Sequence, residues 1–205
     1  ERANPVYLAG DIQKMTTVEE LASIRPRLAQ IVVQLVTEDA TADDIGRVVT
    51  AIGDAVERRL LELGEARLRP PPGPYCWVTL GAGARLEQGL TSDQDNALIL
   101  SDDALSGPDG PAYAAYMADL AAFVSDGLNA CGYRYCADGV MATNASWRQG
   151  VSGWEATFRR WVEDPSADTL AGVVLFFDLR ALHGDPALFD ELHRAVLSMT
   201  AASAG

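Results

Sequence analysis

A chain of 205 residues, 48% hydrophobic and 22% charged, is long enough to bury one large core or two small ones. Its 16 Lys and Arg stand against 29 Asp and Glu, and a net charge of −13 repels polyanions, which makes nucleic acid a poor partner. No apolar run approaches the roughly 20 residues of a membrane span and no basic-then-apolar leader opens the chain, so no membrane partner and a cytoplasmic location are expected.

The absence of Met at position 1 and the Ala/Ser/Gly ending read as a piece of a longer protein. Thr17 and Glu20 have the spacing of a capping box, after which Leu21, Ile24, Leu28, Ile31, Val32 and Leu35 recur at helical period. Pro26 falls inside that pattern and predicts a kink or a restart. A second start at Thr41 and Asp44 opens a longer helix with Ile45, Val48, Val49, Ile52, Val56, Leu60 and Leu63 on one face, and the two helices are expected to pack antiparallel. Pro70, Pro71, Pro72 and Pro74 then mark the clearest boundary in the chain.

Beyond that boundary the period changes. Residues 75–80 and 97–100 read as short strands, residues 111–130 as a helix and residues 139–143 as a further strand. Trp154, Phe158, Trp161 and Val162 return to helical spacing, which assigns them to a core, and residues 170–182 and 186–199 read as helices. Asp178 and Arg180 thus fall in an apolar helix, where a mutual or interhelical salt bridge is the default and contact with acceptor or nucleotide the lesser alternative, and His183 and His193 stand isolated. The expected class is α+β: a helical lead-in over residues 1–69, a small mixed sheet with helices over 75–146, and a C-terminal helical region over 147–205.

Cys76, Cys131 and Cys136 are odd in number and are expected to be free thiols. Cys131 and Cys136 have no second Cys or His pair, so the set is incomplete for zinc.

The informative segment runs from Trp77 to Leu100: a strand, a glycine turn, a short helix and a second strand opening Asp93-Gln94-Asp95-Asn96. Gly81 and Gly83 let backbone approach a phosphate closely. Residues i and i+2 of a strand share a face, so Asp93 and Asp95 converge as oxygen ligands for Mg²⁺ or Mn²⁺. Two bland readings compete, a ligand-free glycine turn and a solvated acidic turn. A dinucleotide fold is a rival reading, since Gly81-Ala82-Gly83 follows a strand and Asp102 lies about 20 residues on, but its fingerprint is incomplete with Leu86 at the third glycine. An EF-hand is dismissed at Ala97 and Leu98.

Gly81-Ala82-Gly83-Ala84-Arg85 with Asp93-Gln94-Asp95-Asn96, joined by Gly139-Val140-Met141-Ala142-Thr143-Asn144, Trp147-Arg148 and Phe176-Phe177-Asp178-Leu179-Arg180, resembles bacterial nucleotidyltransferase domains of the DNA polymerase beta superfamily. These often follow CBS or cyclic-nucleotide-binding modules and are similar to the adenylyl- and uridylyltransferases that modify glutamine synthetase and its regulatory protein. The resemblance implies metal-dependent transfer of a nucleoside monophosphate from a nucleoside triphosphate to a hydroxyl on a protein or small molecule. Asp93 and Asp95 would hold metal and act in catalysis, and Gly81, Ala82, Gly83 and Arg85 would hold nucleotide. Two departures favour an alternative, a degenerate nucleotide-binding domain that regulates a partner in signal transduction. Ala82 stands where the family usually has Ser, and none of Asp138, Met141, Thr143 or Asn144 matches a third carboxylate.

Overall fold

The computed structural model describes residues 4–163 and 178–203. The lead-in is four helices: α1 (Pro5–Ile12), α2 (Val18–Ala22), α3 (Ile24–Thr37) and α4 (Ala42–Leu68). Thr17 caps α2 by accepting from the Glu20 amide at 3.1 Å, and Thr41 does the same for α4 through the Asp44 amide at 3.1 Å. These side-chain oxygens satisfy amides that have no acceptor within the first helical turn. The restart falls at Ser23, which ends α2 and begins α3, so Pro26 lies in the first turn of the new helix, where its missing N–H costs nothing.

The sheet holds β1 (Tyr75–Leu80), β3 (Asn96–Leu100), β5 (Arg148–Gly150) and β6 (Leu179–Gly184), in the order β5-β3-β1-β6. β1 runs antiparallel to both neighbours, while β3 and β5 are parallel, so the sheet is mixed. A second, two-stranded sheet pairs β2 (Asp93–Gln94) with β4 (Arg134–Tyr135). Every residue of β1 and β3 is buried, and alternate side chains divide between two cores. Tyr75, Trp77, Leu98 and Leu100 face α1 to α4 and α7 (Gly110–Ala130). Cys76, Val78, Leu80, Ala97 and Ile99 face α8 (Val151–Glu163) and α9 (Pro186–Ser203). The result is an α+β architecture of three layers, with helices on both faces of a small mixed sheet.

Glycine lets α4 and α7 approach closely. A Cβ on Gly64 would meet Leu120 Cδ1 at 2.7 Å, and one on Gly127 would meet Leu60 Cδ2 at 2.6 Å. Polar contacts then bind α4 to the edge strand β6: Arg58 Nε donates to the Leu182 carbonyl at 3.1 Å, and His183 Nε2 lies 3.0 Å from Glu65 Oε1.

Two sequence expectations are corrected. Residues 139–143 form turns instead of a strand: Gly139 takes φ +71°, and Met141 N and Asn144 N donate back to Gly139 and Met141. Within residues 170–182, those from 179 onward belong to a strand, because they pair with Thr79 and Leu80 of β1, and 170–177 lie outside the described residues. Asp178 therefore lies just before a strand and Arg180 within it, and two of the four main strands come from beyond residue 147.

Candidate functional site

The glycine turn lies at the end of β1, where the chain reverses into the one-turn helix α5 (Gly81–Ala84). Gly81 has φ +53°, a left-handed conformation that a side chain resists. Gly83 is a glycine for a different reason: a Cβ there would overlap Thr79 Oγ1. Its carbonyl accepts from Arg180 Nη2 at 2.9 Å. Gly81 and Gly83 are buried, whereas Ala82 is partly exposed at the lip of the turn.

Asp93 and Asp95 stand partly exposed while Gln94 and Asn96 are buried, the alternation of an extended chain. The buried pair anchors the acidic one. Gln94 Nε2 donates to the carbonyls of Ser125 and Tyr133 at 3.1 and 3.2 Å. Asn96 Oδ1 accepts from the Ala142 amide at 2.9 Å, and the Asn96 amide donates to Val140 O at 3.1 Å, so Asn96 ties down the loop after Gly139. The Leu80 amide donates to Asp95 O at 3.0 Å, and the Gly81 amide donates to Asp178 O at 3.2 Å. Asp95 and Asp178 therefore flank the glycine turn from opposite sides of β1.

Asp95 is the electrostatically strained member of the acidic pair. Burial pushes the Asp95 carboxyl above the usual range, and the neighbouring Asp93 and Asp138 charges add to the rise. The Cys136 thiol hydrogen-bonds Asp95 and opposes it, as does the charge of Arg85. Arg134 Nε lies 2.9 Å from Asp93 Oδ1, near enough for an ion pair, yet that buried oxygen has no aligned hydrogen-bond donor. Two neighbouring carboxylates fit a hard divalent cation, which takes oxygen ligands and keeps several waters, and such a cation would displace Arg134 from Asp93 Oδ1. Among the described residues, however, no group of three Asp, Glu, His or Cys side chains is gathered to hold a metal.

Arg85 is already occupied. Its Nε donates to Glu87 Oε2 at 2.8 Å and its Nη1 is hydrogen-bonded to Asp178 Oδ2.

Asp178 and Arg180, for which the sequence predicts a mutual or interhelical salt bridge in an apolar helix, pair instead with Arg85 and Asp54 respectively. Other residues around the site were not singled out from sequence. On α4, Gly46, Thr50, Gly53, Asp54 and Glu57 form a small and polar stripe that packs under the turn. Thr50 Oγ1 accepts from the Gln88 amide at 3.1 Å, and a Cβ on Gly46 would meet Leu86 O at 3.0 Å. Glu57, Thr79, Gln88, Gln94, Asp95 and Tyr133 line a crevice with room for about one water. Burial pushes the Glu57 carboxyl up to about 8, against the opposing hydrogen bond from Trp77 Nε1 at 2.8 Å. The recurrence of these residues on one helical face, interleaved with the apolar stripe, is the signal that could have found them.

No helix among the described residues is long and apolar enough to cross a membrane. No curated protein matches the sequence at a significant level. Residues 26–168 match the family described as "Putative nucleotidyltransferase DUF294", a span that takes in α4, the glycine turn, both aspartates and the loop held by Asn96. Since that span is well over half of the 205 residues, the chain belongs to this nucleotidyltransferase family.

Proposed function

We propose that this end of the sheet binds a nucleoside triphosphate with Mg²⁺ or Mn²⁺ and transfers its nucleoside monophosphate to a hydroxyl of a protein or small molecule. The observation that carries the reading is the hydrogen bond from the Leu80 amide to Asp95 O, which sets the acidic pair beside the first residue of the glycine turn. Asp93 and Asp95 would hold the cation, which supplies charge stabilisation at the phosphates when bound. Backbone around Gly81 and Ala82 would seat the phosphates, with Arg85 released from Glu87 and Asp178 to meet them. The acceptor oxygen forms a bond to the α-phosphorus as the bond to the bridging oxygen breaks, and pyrophosphate leaves. Asp178, on the other flank of the turn, is assigned to take the proton of the acceptor hydroxyl.

A second reading, a regulatory domain that binds nucleotide without turnover, is favoured by Ala82, which brings no hydroxyl, and by the lack of a three-carboxylate group among the described residues.

Calorimetry with each common nucleoside triphosphate, with and without Mg²⁺, tests the first reading when followed by a pyrophosphate assay on wild type, Asp93→Asn and Asp95→Asn. Metal-dependent binding with pyrophosphate release, both weakened in the variants, is the expected result. Binding without release selects the regulatory reading. Equal affinities in all three proteins would sink the metal assignment, and no binding by folded wild type would sink both readings.

A further inference from the structure

We infer that Arg180, clamped by Asp54, is the positioning residue that fixes the glycine turn at Gly83 and so sets where bound phosphates sit; the second half rests on the nucleotide reading above. Arg180 Nη1 and Nη2 donate to Asp54 Oδ2 and Oδ1, each at 2.9 Å, and Nη2 also donates to Gly83 O at 2.9 Å. Two parallel charge-assisted bonds fix the plane of a guanidinium as well as its place. Asp54 is 8% exposed and belongs to the long helix α4, so the clamp is anchored in the core.

The backbone brings Arg180 to this position, because it pairs with Thr79 across β1 and β6. Thr79 packs against the Cα of Gly83 while Arg180 grips its carbonyl, so the turn is held from two sides. Arg180 Nε is buried without an acceptor, and the side chain forgoes that bond to make the other three. Lysine cannot replace it, since one ammonium on a flexible stem does not reproduce a planar fork. Arg58 Nη2, 3.5 Å from Asp54 Oδ2, carries the same charge to the same carboxylate without touching the turn.

The test is amide hydrogen exchange on the ligand-free chain, comparing wild type, Arg180→Lys, Asp54→Asn and Arg58→Met, with nucleotide affinity measured in parallel. In Arg180→Lys the amides of residues 81–87 should exchange about tenfold faster, the scale of one lost charge-assisted bond, while those of α7 between Met117 and Val124 are unchanged. Asp54→Asn should move the same amides in the same direction, and Arg58→Met should leave them alone. Unchanged turn amides in Arg180→Lys overturn the inference, as does equal acceleration in α7 or an equal effect of Arg58→Met. Mg²⁺-nucleotide affinity should fall about tenfold in Arg180→Lys, in step with the turn. Failure of wild type to bind any nucleotide removes the reading of function, while the exchange data still decide whether Arg180 positions the turn.

Discussion

Glu57→Gln should make the protein more stable, and increasingly so as pH rises. The carboxyl is buried on α4, accepts from Trp77 Nε1 at 2.8 Å, and is pushed from 4.5 to about 8 chiefly by loss of solvent, with Asp54 adding repulsion and Arg180 and Arg58 opposing it. Between those pH values the folded chain binds a proton that the unfolded chain has released, so stability falls as pH rises through the window and levels off above it. At 1.36 kcal/mol per unit, the rise from 4.5 to about 8 corresponds to about 5 kcal/mol lost across the window, and about 3 kcal/mol of it by pH 7. Gln keeps an oxygen for Trp77 and removes the titration. Urea denaturation of wild type and Glu57→Gln at half-unit steps from pH 4 to 9 measures the difference directly. The gap should widen by a few kcal/mol between pH 5 and 8, a large share of the 5–15 kcal/mol typical of a folded domain. Parallel stability curves would refute the argument, because they would show that Glu57 titrates alike in the folded and unfolded chain.

Gly83→Ala should destabilise by about 1–3 kcal/mol through overlap with Thr79 Oγ1, and Thr79→Ala should recover part of that loss in a double-mutant denaturation cycle. Additive effects would show that the turn is not packed on Thr79. Because the Asp95 carboxyl is raised by burial, acidification should neutralise it above the usual carboxylate range, so Mg²⁺-dependent nucleotide affinity should begin to fall at a correspondingly higher pH. Affinity that stays flat in calorimetry down to pH 4 would contradict this. Asn96→Ala leaves the buried Ala142 amide without its acceptor and should cost about 1–3 kcal/mol in thermal denaturation, with the loop after Gly139 the first region to exchange its amides.

What the sequence makes legible is local. Thr17 and Thr41 announce helix starts because a capping hydroxyl and its amide lie three residues apart, and Asp93 and Asp95 announce a shared face because alternate residues of an extended chain point the same way. The strand β6 was not legible, since its place depends on β1 about a hundred residues earlier and its short apolar run fits either period. The loop at Gly139 carries β-prone residues, yet the long-range demand of the Asn96 side chain bends it into turns. Glu57 reads as one more charge on a helix until the structure closes around it.

The order of the strands also governs when the site can exist during synthesis. Arg180 and Asp54 are 126 positions apart, and β1 receives its second neighbour only once residues 179–184 have been made. Such distant pairing slows folding, because chain closure comes before the contacts that compensate it. Until then a nascent chain has its lead-in helices, β3 and both aspartates in hand, but one edge of β1 is bare. All six residues of that strand are buried in the finished fold, so a chain halted at residue 163 would offer an apolar, unpaired edge to any neighbour able to add a strand.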